Sequence, residues 1–129
     1  MTTVMIVEDE VFLQDLYTEV MTRAGHEVVA NAPDGEAAVG AFRAMAKKPE
    51  LILMDHRMPV MSGVDAMHEI LKLDPSVCIL FLTADFSIAK DSILGGAVGY
   101  IAKPFTMEAL VGAVDRVLAL RAQRAAGLA

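Results

Sequence analysis

The chain of 129 residues carries a single cysteine, Cys78, so it can neither close an internal disulfide nor build a cysteine-based zinc site. No apolar run approaches the ~18 residues needed to cross a bilayer. Met1-Thr2-Thr3 puts no basic segment ahead of an apolar stretch, so the start does not read as a signal peptide, and a cytoplasmic location is the default. Bases are in deficit, eleven against seventeen acids, for a formal net charge of −6. That balance argues against a nucleic-acid backbone as the main partner, because such binding needs clustered cations. There is no internal repeat or low-complexity stretch, and neither a G-x-G-x-x-G nor a Walker-type phosphate loop. With 55% hydrophobic and 22% charged residues, the composition is that of one globular domain with a core of its own.

Short apolar runs alternate with stretches of helical period. Val4-Met5-Ile6-Val7 reads as a strand that stops at Glu8-Asp9-Glu10. Leu13, Leu16, Tyr17, Val20 and Ala24 then recur three and four apart, and Gly25 signals a stop. Glu27 to Ala30 forms a weaker second strand. Asp34-Gly35-Glu36 opens a helix with Ala38, Ala41, Phe42 and Met45 on one face. Leu51 to Met54 makes a third strand ending in Asp55, followed by a loop through Pro59 and Ser62-Gly63 and a helix bearing Val64, Met67, Ile70 and Leu71. Val77 to Leu82 is the strongest strand and ends at Thr83. A weaker helix spans Phe86 to Leu94, a fifth strand Val98 to Ala102, and a last helix Thr106 to Arg124, with residues 125–129 as a short tail after a single domain of residues 1–124.

Strands alternating with helices imply parallel βαβ units, and strands apolar on both faces imply helices on both sides of an open, doubly wound sheet. Ligands of such sheets gather outside the C-terminal strand ends. Here those ends carry Glu8 and Asp9, Asp55, Thr83 and, one residue past the fifth strand, Lys103. Glu10 reads instead as a cap of the following helix. Three close carboxylates repel one another unless a cation neutralises them, and all-oxygen donors suit a hard divalent ion such as Mg²⁺. An ammonium and a hydroxyl beside that ion suit a transferring phosphoryl group, with the central carboxylate as nucleophile. Cys78, inside a strand of buried type, reads as inert. The three histidines lack metal-ligand spacing, and only His56 falls on the site edge, as a rim residue.

Four segments together resemble the receiver domain of two-component response regulators: Val7-Glu8-Asp9-Glu10, Asp55 through Gly63, Leu82-Thr83-Ala84, and Gly96 through Phe105. The resemblance covers essentially the whole chain. It implies a flavodoxin-like sheet of order 2-1-3-4-5. It implies Asp55 as phosphoacceptor, and Mg²⁺ held by Asp9, Asp55 and the backbone carbonyl of Arg57, with Glu8 ligating the ion or holding one of its waters. Lys103 would pair with the phosphoryl oxygens ahead of a cis bond to Pro104, and Thr83 and Tyr100 would act as the switch. Glu8 stands where many members have aspartate, which implies altered metal affinity. Arg57 and Asp85 occupy positions where phosphoryl lifetime is tuned, and their opposite charges invite a pair across the site mouth.

The implied partners are a histidine kinase or histidine phosphotransfer protein and a separate output protein. A weak homodimer through helix four, strand five and helix five is left open, and direct nucleic-acid binding and membrane insertion are not expected. The chain would be a phosphoacceptor rather than an enzyme, with at most slow self-catalysed uptake and hydrolysis. Two alternatives stay open: an adaptor that keeps the fold but signals without phosphate, and a small metal-dependent phosphohydrolase. The second is disfavoured because Arg57 stands where such an enzyme needs an acidic residue. A flavodoxin would want a Ser/Thr/Gly-rich loop where this chain has three acids.

Overall fold

The structure, a computed structural model, describes residues 2–127. Five strands and five helices alternate along it. They are β1 (Thr3–Val7), α1 (Val11–Arg23), β2 (Glu27–Ala32), α2 (Gly35–Ala44) and β3 (Leu51–Asp55), then α3 (Gly63–Leu73), β4 (Cys78–Thr83), α4 (Phe86–Leu94), β5 (Gly99–Ala102) and α5 (Met107–Ala125). All neighbouring strands pair in parallel, in the order β2-β1-β3-β4-β5. This is the flavodoxin-like architecture that the alternating pattern implies.

The period-two alternation of each inner strand divides the core in two. Met5, Val7, Ile52, Met54, Ile79 and Phe81 point to one face, where Ala38, Val39 and Phe42 of α2 and Ala66, Met67 and Ile70 of α3 cover them. Val4, Ile6, Leu51, Leu53, Leu80 and Leu82 point to the other, against Tyr17 and Met21 of α1 and Leu110, Val114 and Val117 of α5. The edge strands depart from the expectation of strands apolar on both faces. In β2 every residue except Ala32, and in β5 every residue, is half-buried or exposed, because an edge strand has a neighbouring strand on one side only.

Helix ends follow local chemistry. Asp34, Ser62 and Thr106 accept from the backbone N–H three residues on, capping α2, α3 and α5. Gly25, at φ +93°, takes the left-handed conformation that ends α1. At the C-terminal end of α2, the Lys48 ammonium donates to the carbonyls of Phe42, Arg43 and Met45 at 2.6, 3.0 and 2.7 Å. Several boundaries move from the sequence reading by one or two residues. β1 starts at Thr3, β2 continues to Ala32, β4 starts at Cys78 and β5 at Gly99, and α5 runs from Met107 through Ala125, one residue into the expected tail. Of that tail, Leu128 and Ala129 lie outside the described residues.

Register aligns the C-terminal strand ends. Val7 pairs with Met54, Asp55 with Leu82 and Thr83 with Ala102. Glu8 and Lys103, each one residue beyond its strand, therefore emerge at the same edge as Asp55 and Thr83.

Candidate functional site

A cleft of about 310 Å³ at that edge is lined by Glu8, Asp9, Glu10, Leu13, Asp55, Arg57, Thr83, Ala84 and Lys103. At its floor the Lys103 ammonium lies 3.3 Å from Asp55 Oδ1. The two residues are 48 apart in sequence and meet because β3 and β5 flank β4. Asp55 is 6% exposed and Glu8 only 2%, whereas Asp9 is exposed. The Lys103–Pro104 bond is cis, and the Lys103 amide donates to the Thr83 carbonyl at 2.9 Å. That bond ties the β5 exit to the β4 exit.

Three acids meet in the same cleft. Carboxylate oxygens of Glu8, Asp9 and Asp55 all lie within 4.8 Å of one another. Glu8 Oε1 accepts from the Glu10 amide at 3.3 Å, while Glu8 Oε2 is buried without a partner. Burial, together with the Asp55 charge, pushes the Glu8 carboxyl from an ordinary 4.5 up to about 8. A charged carboxylate there lacks both solvent and enough donors, which is the condition that a divalent cation relieves. The donor set is all oxygen, half-exposed on one side and few in number, and it fits Mg²⁺, which keeps several of its waters. Glu10 occupies the N-cap position of α1, but its side chain makes no capping bond. Gln14 does more for this loop: its Nε2 donates to the Glu8 carbonyl at 2.6 Å.

Thr83 is buried at the end of β4, and its Oγ1 accepts from the Asp85 amide at 3.1 Å. Thr83 lines the cleft, and its hydroxyl keeps its own proton to donate. Tyr100 lies on β5 with 41% of its surface exposed, away from the cleft lining. His56 departs from the rim position read from sequence. It is half-buried, its Nδ1 is buried without a partner, and it is absent from the lining.

The Arg57–Asp85 pair exists only at the outer limit of an ion pair, 4.0 Å, with the arginine well exposed. The main work of Asp85 is different. Its Oδ1 accepts from the Ser87 amide at 2.9 Å, the Ser87 hydroxyl at 2.7 Å and the Ile88 amide at 3.4 Å, capping α4. Those bonds, more than Arg57, hold its carboxyl below the usual range. The signal was present as an acid two residues ahead of a serine at the start of a helical run. Gly63 is a second residue whose part shows only in three dimensions. A Cβ there would stand 2.5 Å from the Asp55 carbonyl oxygen and 3.0 Å from the Phe81 ring, so only glycine lets α3 start this close to Asp55.

Residues 4–115 match the family described as the response regulator receiver domain. The chain is 35% identical over 116 residues to a chemotaxis protein CheY of Thermotoga maritima, covering 88% of this chain and 95% of that protein. Among solved structures, it superimposes on the CheX–CheY–BeF3–Mg complex from Borrelia burgdorferi with a TM-score of 0.85 at 27% identity, covering 91% of this chain and 89% of that one. A CheY-like receiver domain protein from Methanospirillum hungatei gives a TM-score of 0.87 at 21% identity, covering 96% and 98%, which speaks for the fold alone. On the breadth of the sequence match and on relatives similar over nearly their full length, this chain belongs to the response regulator receiver domain family.

Proposed function

We propose that the chain is a phosphorylation-activated switch that accepts a phosphoryl group on Asp55 from a phosphohistidine of a kinase or phosphotransfer protein. The observation that carries this reading is the Lys103 ammonium 3.3 Å from a buried Asp55 carboxylate that is itself clustered with the Glu8 and Asp9 carboxylates. The Asp55 carboxylate oxygen attacks phosphorus as the P–N bond breaks, and the leaving imidazole nitrogen keeps the electron pair. Asp9, Asp55 and the Arg57 carbonyl would hold Mg²⁺, with Glu8 ligating it or holding one of its waters. When bound, the ion neutralises the carboxylates and the phosphoryl oxygens. Lys103 donates to one phosphoryl oxygen, which costs little reorganisation because the ammonium already faces Asp55.

A new acyl phosphate adds about two negative charges and three acceptors. The Thr83 hydroxyl gains an acceptor only in that state, so its inward movement has a differential free energy to draw on. Movement of Thr83 opens room for the exposed Tyr100 ring, and the surface of α4, β5 and α5 changes as a result. That surface already shows Ile93, Val98 and Tyr100 to solvent. It is where an output protein, or weakly a second copy, would sense the state. Among the described residues no helix is long and apolar enough to cross a membrane. We place the switch in the cytoplasm, acting as a phosphoacceptor with slow self-hydrolysis rather than as a turnover enzyme.

The test is labelling by a small-molecule phosphodonor such as acetyl phosphate. Uptake requires Mg²⁺ and disappears in Asp55→Ala; uptake that persists in that variant, or that never occurs, overturns the reading. The adaptor alternative predicts no uptake and unchanged partner binding. The Arg57–Asp85 charges would hinder a water approaching the acyl phosphate. Because Asp85 also caps α4, Asp85→Ser is the informative variant: it keeps a capping oxygen and removes the charge. Arg57→Ala and Asp85→Ser are each expected to speed dephosphorylation about 3-fold, a small effect because an exposed pair is worth roughly 1 kcal/mol or less. An unchanged decay rate in both refutes the role.

A further inference from the structure

The cleft has two halves on separate segments. Glu8 and Asp9 hang on the loop after β1, and Lys103 stands on the turn after β5. α1 touches both. Gln14 Nε2 donates to the Glu8 carbonyl at 2.6 Å. One turn further on, Tyr17, 3% exposed, stacks on Phe105 with ring centroids 6.2 Å apart and planes inclined by 28°. Residues three apart share a helix face, so a single face of α1 reaches both halves of the cleft. Phe105 lies two residues beyond Lys103 across the Pro104 turn, and an apolar groove of about 400 Å³ bounded by Leu13, Leu16, Tyr17, Pro104 and Phe105 leads to Lys103. The Tyr17 phenol is pushed up to about 12, chiefly by burial and then by the charges of Glu8, Asp55 and Glu10. Its ring therefore lies within the field of the acids as well as under the lysine turn.

We propose that α1 acts as a strut that fixes the spacing of the two halves, with Gln14 a positioning residue for the Glu8–Asp9 loop and Tyr17 a positioning residue for Lys103. The inference rests on the phosphoacceptor reading above and deepens it. A helix is the right element for this task, because its backbone hydrogen bonds fix the separation of residues 14 and 17 more firmly than loops do. A flat ring at position 17 gives Phe105 one seating, whereas a branched aliphatic chain would fill the volume without fixing the tilt of the turn. The carboxamide of Gln14 takes up a carbonyl at the very point where the chain must turn to present two carboxylates.

The strut makes a prediction that simple loss of core packing does not: the two contacts separate by readout. In the full chain, Gln14→Met is expected to weaken Mg²⁺ binding about 10-fold, as removal of an outer partner of a metal site commonly does. The binding constant is read from amide NMR shifts of Asp9 and Asp55, and the lost uptake from acetyl phosphate is recovered at higher Mg²⁺. Tyr17→Leu is expected to leave the Mg²⁺ constant within about 2-fold and slow uptake at saturating Mg²⁺ about 10-fold, the scale of a modest misplacement of a reacting group. Tyr17→Phe keeps the ring and rescues the rate. Phe105→Leu approaches the same stack from the other side and serves if Tyr17→Leu folds poorly.

In a Lys103→Ala background, Tyr17→Leu adds no further slowing, because both act through one ammonium. Independently of uptake, the Lys103 ¹³Cε resonance of the metal-free protein shifts in Tyr17→Leu and not in Gln14→Met. Parallel losses of metal binding and rate in both variants, multiplicative effects of Tyr17→Leu and Lys103→Ala, or an unmoved Lys103 resonance would each overturn the strut. A wild-type chain that takes up no phosphoryl group would refute the proposed function instead, and the metal-binding and resonance measurements would still decide the strut.

Discussion

Replacing Glu8 by glutamine tests the electrostatics of the cleft most directly. The carboxyl is raised from 4.5 to about 8, so between those values the folded chain holds a proton that the unfolded chain has released. A raised acid contributes stability that is present at low pH and lost as pH rises. At about 1.4 kcal/mol for each tenfold change in proton affinity, the loss reaches roughly 3 kcal/mol by pH 7 in the metal-free protein. Glutamine copies the protonated form. Its oxygen can still accept from the Glu10 amide, its nitrogen can donate toward Asp9, and it carries no charge to desolvate. Urea unfolding followed by circular dichroism, in the presence of a chelator, should therefore show wild-type stability falling from pH 5 to pH 8 while Glu8→Gln stays level. The two should coincide near pH 5. Added Mg²⁺ should restore the wild type at pH 8 by mass action and help the variant less. Parallel pH profiles with and without the substitution would refute the claim that burial of this carboxylate, and its relief by a cation, governs the cleft.

Three further outcomes follow from local geometry. Val60, 76% exposed in the β3–α3 loop, holds φ at +70°, a conformation costly for a β-branched residue, so Val60→Asn should raise stability by about 1 kcal/mol in thermal unfolding. Lys48→Met removes the ammonium from three α2 carbonyls and should lower the urea midpoint by an amount worth about 2 kcal/mol; a change below about 0.5 kcal/mol would show that water replaces the cap. Gly63→Ala forces a methyl against the Asp55 carbonyl and the Phe81 ring, so it should cost about 2 kcal/mol in urea unfolding and slow acetyl phosphate uptake together, and normal stability with normal uptake would refute the close approach.

The order of elements and the gathering of Glu8, Asp9, Asp55, Thr83 and Lys103 on one edge could be read from the chain itself. Apolar runs that stop abruptly at polar residues mark strand ends, and parallel crossovers bring all those ends to the same side. Such information is local, carried by periodicity and by the last residue of each run. Tertiary structure decided what depends on neighbours far apart in sequence. Glu8 becomes a buried, proton-holding carboxyl only once β1 lies between β2 and β3 with Asp55 alongside. Asp85 turns to the α4 amides rather than to Arg57 because fixed N–H groups at a helix start hold a carboxylate better than a mobile guanidinium in water. His56 leaves the rim, Lys48 finds three carbonyls and α1 bridges the two halves of the cleft. Each of these depends on distances set by packing, and no spacing along the chain encodes them.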